Sequence, residues 1–102
     1  MTLTLPARLT LAEARAALPA LQAQAAPGAD GSGALVVDAG ALVAFDSSAI
    51  ATLLALRRDA VAAGRGFSVR SAPRAMIDLA GLYGVADLLD FAPDTQSTQA
   101  LV

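Results

Sequence analysis

The chain contains no cysteine, no histidine, no lysine and no tryptophan in 102 residues. Without cysteine there is no disulfide scaffold, no thiolate zinc site and no cysteine nucleophile. Without histidine the commonest general base and metal ligand is missing, and any Ser-His-Asp triad with it. Without lysine the phosphate-loop signature cannot be written. All seven cationic side chains are arginines, set against nine carboxylates for a net charge of −2, so no long-range field draws the chain onto nucleic acid. Long hydrophobic runs are also lacking. Asp38 and Asp46-Ser47-Ser48 interrupt the apolar stretches at 34–37, 40–45 and 49–56, and none approaches the ~20 residues that span a bilayer. Pro6, Arg8, Glu13 and Arg15 break up the N-terminal apolar positions, a poor pattern for a secretory leader. The expectation is a cytoplasmic chain with no direct membrane insertion, no cofactor, no metal and little means of catalysis.

What is present is ample apolar material: 56% of residues are hydrophobic, with a mean hydropathy of +0.59. A chain of this length makes one domain. Leu3, Leu5 and Leu9 alternate as a short strand interrupted at Pro6. Thr10-Leu11-Ala12-Glu13 fits a capping box, with the Thr10 hydroxyl accepting from the Glu13 amide and the Glu13 carboxylate from the Thr10 amide. The helix that follows sets Leu11, Ala14, Leu18 and Leu21 on one face, and Pro19 is expected to kink or divide it. Residues 26–33 read as a flexible loop. Their glycines precede a strand, whereas a phosphate loop follows one.

Residues 34–38 form a continuously apolar strand deep in a sheet or covered on both faces. Residues 40–45 make a connection or short extended piece, and Asp46-Ser47-Ser48 then opens a long helix that stops near Ala63 and Gly64. Residues 66–70 alternate as a strand. Pro73 begins a third helix, with Ser71 as its candidate cap, an apolar stripe of Met76, Leu79, Ala80 and Tyr83, and Gly84 as its end. Residues 85–91 add a short helical turn, and residues from Pro93 onward are expected to fray. Strands alternating with helices predict an α/β domain: a small, at least partly parallel mixed sheet with helices packed mainly on one side.

Candidate chemistry is sparse. Asp38 and Asp46 are the carboxylates that strand ends could bring together, but no nucleophile, base or charge clamp accompanies them, so a small enzyme is only a formal alternative. The start of the second long helix is more informative. Its first amides have no intrahelical partner, and Asp46 or a serine can cap them. A hydroxyl there stands at the positive end of the helix, where a phosphate is electrostatically welcome. On a helical wheel Ile50, Leu53, Leu54, Ala60 and Val61 form the core face, with Arg57 awkwardly among them. Ser48, Thr52, Ala55 and Asp59 take the opposite face, flanked by Ala51 and Ala62. Small side chains there would let a partner approach closely. Asp46, Ser47, Ser48, Thr52, Ala55 and Asp59 are the candidate partner-binding residues.

Together, Val36-Val37-Asp38, Phe45-Asp46-Ser47-Ser48-Ala49-Ile50, the Ala-Gly-Arg-Gly stop at residues 63–66 and the Leu-Ala-Gly-Leu-Tyr-Gly-Val segment at 79–85 resemble a STAS domain. That family includes anti-sigma-factor antagonists and the small MlaB subunit of bacterial phospholipid ABC transporters. The similarity runs from about Thr2 to Phe91, implying one STAS domain over 1–91 and a flexible tail over 92–102. Two departures stand out: the N-terminal part begins at what would be the family's second strand, and Ala49 stands where the antagonists carry glycine. Tyr83 is closer to the transporter subunits. The resemblance implies a non-enzymatic accessory subunit, peripheral to the inner membrane, that binds the cytoplasmic ATPase of a transporter maintaining outer-membrane lipid asymmetry. The alternative it implies is an antagonist that binds an anti-sigma factor and is inactivated when a kinase phosphorylates Ser47. Homodimerisation is left open.

Overall fold

A computed structural model of the chain describes residues 2–25 and 33–91. The flexible loop and C-terminal tail expected from composition lie outside the described residues, apart from Gly33. In chain order the elements are β1 (Thr2–Thr4), β2 (Arg8–Leu9), α1 (Leu11–Ala25), β3 (Leu35–Asp38), β4 (Ala44–Phe45), α2 (Ser47–Ala62), β5 (Phe67–Arg70), α3 (Arg74–Leu82) and α4 (Ala86–Leu89). The architecture is α/β, as expected. Its sheet, expected to be mixed, pairs in parallel throughout the described residues, with strand order β1-β3-β5. Phe91 adds a parallel bridge to Val69.

Period-two alternation explains which face of the sheet is buried. Register aligns Leu3, Val37 and Val69 in one row, and all three are buried. Leu35 joins them on the same face. The other face carries Thr2, Val36 and Ser68 in one row and Thr4, Asp38 and Arg70 in the next. These side chains are exposed or half-buried, so the apolar run at 34–37 reflects a central strand and not one covered equally on both faces. Ala34 itself is exposed and lies outside the strand.

Pro6 divides the N-terminal extended segment into β1 and β2. β2 leaves the main sheet and pairs with β4, setting Arg8 beside Ala44 and Leu9 beside Phe45. This two-stranded ribbon launches both long helices. α1 and α2 therefore start level with one another and run in the same direction. Leu11 meets Asp46 at one end, and Gln22 meets Asp59 further along.

α1 runs unbroken through Pro19, against the expected division. Pro19 lies on the exposed side, where the carbonyl deprived of its donor can be hydrated. Leu11, expected on the packed face, is 66% exposed, while Leu21 and Ala25 are the helix's buried residues. Ser71 does not cap α3. It takes a left-handed conformation, and Pro73 occupies the cap position with no side-chain bond. Tyr83 is exposed, so the stripe of α3 buries only Met76 and Ala80 fully.

The glycine stops work as expected. Gly64 has φ +73°, the Gly64 amide donates to the Val61 carbonyl, and the Arg65 amide donates to that of Ala60. α3 ends identically, with Gly84 at φ +73° and donations from Gly84 to Gly81 and from Val85 to Ala80. Both are Schellman closures, which need a residue free to enter the left-handed region.

Candidate functional site

The start of α2 is built around one carboxylate. Asp46 is the N-cap: its Oδ1 accepts from the Ser48 amide at 2.8 Å. Its Oδ2 accepts from the Leu11 amide of α1 at 3.1 Å. One side chain thus satisfies an orphan donor at the N-terminus of each of two helices. The Ser48 amide bond, and after it the Leu11 amide bond, hold the Asp46 carboxyl below its ordinary range.

The Thr10–Glu13 box closes in a modified form. Glu13 Oε1 accepts from the Thr10 amide at 2.9 Å, as expected. The Thr10 hydroxyl, however, donates to that same carboxylate and does not accept from the Glu13 amide, which instead donates to the Thr10 carbonyl at 3.0 Å. The hydroxyl's donation, followed by the Thr10 amide's, lowers the Glu13 pKa. α1 thereby draws one capping acceptor from its own first turn and another from Asp46.

Of the six candidate partner-binding residues, the structure leaves Ser47 and Asp59 exposed and Asp46, Ser48 and Ala55 half-buried. Thr52 is corrected. It is 2% exposed, and its hydroxyl donates to the Ser48 carbonyl at 2.9 Å. The buried arc of α2 comprises Ala49, Ile50, Thr52, Leu53, Leu56 and Ala60. At ~100° per residue this arc is turned roughly 70° toward α1 from the wheel read off the sequence. Val61, expected in the core, is accordingly 52% exposed, and Arg57 sits half-buried at the edge of the arc. The small side chains of Ser48 and Thr52 do face a neighbour, but that neighbour is the protein's own α1. Asp59 is engaged there too, accepting from Gln22 Nε2 at 2.9 Å.

The surface that α2 leaves open is therefore the stripe Ser47, Ala51, Arg58 and Ala62 along its length, all exposed. Ser47 opens the helix with its side chain in solvent. Two exposed apolar residues lie nearby: Leu11, whose amide is bound to Asp46, and Val43, 80% exposed and just upstream.

Asp38 and Asp46 do separate structural work. Asp38 Oδ1 accepts from the Gly40 amide at 2.8 Å, and its Oδ2 lies 3.7 Å from the Arg70 guanidinium. Among the described residues no group of three side chains could hold a metal ion. No described helix is long and apolar enough to cross a membrane.

Sequence reasoning missed Arg65, which is only 8% exposed. Its Nη1 donates to the Ala25 carbonyl at 2.6 Å and its Nε to the Gly33 carbonyl at 3.0 Å. The side chain ties the C-terminus of α1 to the approach to β3, and its charge complements the negative end of that helix. Its position after Gly64 offered a weak signal, since the Schellman turn redirects this residue toward the protein.

A family model described as "Mlab, STAS domain" matches residues 1–90. No curated protein matches the chain significantly. That match spans every element described above, from β1 through α4, and the chain belongs to the STAS domain family, in its MlaB-like form.

Proposed function

We propose that this protein is a non-enzymatic accessory subunit that binds the cytoplasmic ATPase of a phospholipid ABC transporter and supports its assembly or activity. STAS domains are generally non-catalytic binding or regulatory modules, and the MlaB-like match carries the choice of branch. The surface at the start of α2 supports the reading: it carries an exposed hydroxyl, Ser47, next to Asp46, which holds the amide of the exposed Leu11, and the exposed Val43 lies just upstream. ATP belongs to the partner. The protein would sit at the inner membrane through that partner alone.

The test is co-purification of the ATPase subunit with wild type, Ser47→Ala, Ser47→Asp and Ala51→Arg. Ser47→Asp leaves the fold intact, because a carboxylate at a helix N-terminus is tolerated. Buried against the ATPase, the same charge loses its water and weakens the complex strongly. Ser47→Ala costs roughly one hydrogen bond's worth of affinity. Equal recovery with all four proteins would place the contact elsewhere. The exposed position of Ser47 also keeps a second reading open to test: a kinase that modifies Ser47 and releases an anti-sigma factor would assign the protein to the antagonist branch.

A further inference from the structure

A groove of about 250 Å³ opens between the N-terminal halves of α1 and α2. Leu11, Ala14 and Leu18 line one wall, and Ala51 and Thr52 line the other. The β2–β4 register sets Arg15, which is exposed and also lines the groove, level with Ala51. Arg58 is exposed two turns further along the outward stripe of α2, about 10.5 Å beyond Ala51 along the axis.

The arginines are unevenly engaged. Arg8 lies 3.7 Å from Glu13, Arg70 lies 3.7 Å from Asp38, Arg74 bonds Asp78 at 3.1 Å, and Arg65 is held by backbone carbonyls. Among the described residues, no carboxylate lies within ion-pairing distance of Arg15, Arg57 or Arg58. The nearby acids are turned away, Asp59 to Gln22 and Asp46 to two helix N-termini. In a chain of net charge −2, the cations left without an acid thus collect on this one pair of helices.

We propose that this groove receives an acidic amphipathic helix of the ATPase partner, an inference that rests on the accessory-subunit reading. Apolar side chains of that helix enter between Leu11, Leu18 and Ala51, and carboxylates about two turns apart pair with Arg15 and Arg58. An anionic membrane is the poorer occupant. Recruitment to a lipid surface draws on clusters of about 4–8 cations, whereas this chain is negative overall and its groove is concave.

The experiment measures affinity for the purified ATPase subunit at low and high salt, using wild type, Arg15→Glu/Arg58→Glu, Arg15→Lys/Arg58→Lys and Arg74→Glu. Thermal melts verify that each variant folds. The expected result is salt-sensitive wild-type binding, a loss of about tenfold or more in the double glutamate variant, and near-wild-type binding for the lysine variant and for Arg74→Glu. Wild-type binding that charge reversal leaves unchanged overturns the groove assignment and leaves the accessory-subunit reading standing. No complex with wild type overturns that reading and this occupant together. Binding to vesicles of phosphatidylcholine and phosphatidylglycerol (7:3) that the double glutamate variant abolishes would overturn the proposal in favour of lipid.

Discussion

Arg65→Ala is expected to be among the more damaging single substitutions in this domain. The side chain is nearly buried and makes charge-assisted bonds to the carbonyls of Ala25 and Gly33. Hydrogen bonds to a charged group contribute about 1.5–3 kcal/mol each. Truncation strands both carbonyls, but a small cavity of about 40 Å³, lined by Ala25, Leu35, Ala60 and Arg65 itself, lets water recover part of the loss. The net expectation is about 2–4 kcal/mol. Given a total stability of about 5–15 kcal/mol for a domain of this kind, the variant still folds at 25 °C, with a melting temperature roughly 10–30 °C lower. Arg65→Lys should fall between the two, because an ammonium cannot reproduce the guanidinium fork to two acceptors. Urea denaturation followed by circular dichroism measures the effect, with an unchanged m-value indicating that the unfolded state is not altered. An Arg65→Ala unfolding free energy within about 0.5 kcal/mol of wild type would refute the assignment of Arg65 as the tie between α1 and β3.

Three further outcomes are expected. Leu53, at 0% exposure on the buried face of α2, should lose about 2–5 kcal/mol on substitution by alanine, and an unchanged melting curve would remove it from the core. Asp46 has a folded pKa below its unfolded value, so its stabilising contribution is present above the ordinary carboxylate range and is lost as pH falls through the folded pKa. Asp46→Asn should therefore flatten the acid side of a melting-temperature profile between pH 7 and pH 3, and a profile parallel to wild type would contradict the double cap. Gly64→Ala and Gly81→Ala should move in opposite directions: about 1 kcal/mol lost at Gly64, whose φ of +73° strains an L side chain, and up to about 1 kcal/mol gained at Gly81 inside α3, where an added Cβ meets open space. Chemical denaturation of the pair checks the sign.

Local chemistry made much of this protein legible in its sequence. The alternation of Leu3, Leu5 and Leu9, the apolar run that became β3, the Asp46 cap and the glycine stops at Gly64 and Gly84 each depend on neighbours within a few residues, and each appears where expected. The motifs from Val36 to Val85 were enough to indicate the family. Relations between segments were not legible. The pairing of β2 with β4 starts α1 and α2 side by side, and that placement turned the buried arc of α2 toward α1, covered Thr52, gave Asp46 a second helix to cap and left Ser47, Ala51 and Arg58 outward. A helical wheel records which residues share a face, but a helix packed against both a sheet and another helix buries a wider arc than hydrophobicity marks, especially where the contact is made by alanine, serine and threonine. Arg65 was hidden for a related reason: a charged side chain is expected in solvent, and only the tertiary structure brought the carbonyls of Ala25 and Gly33 within its reach.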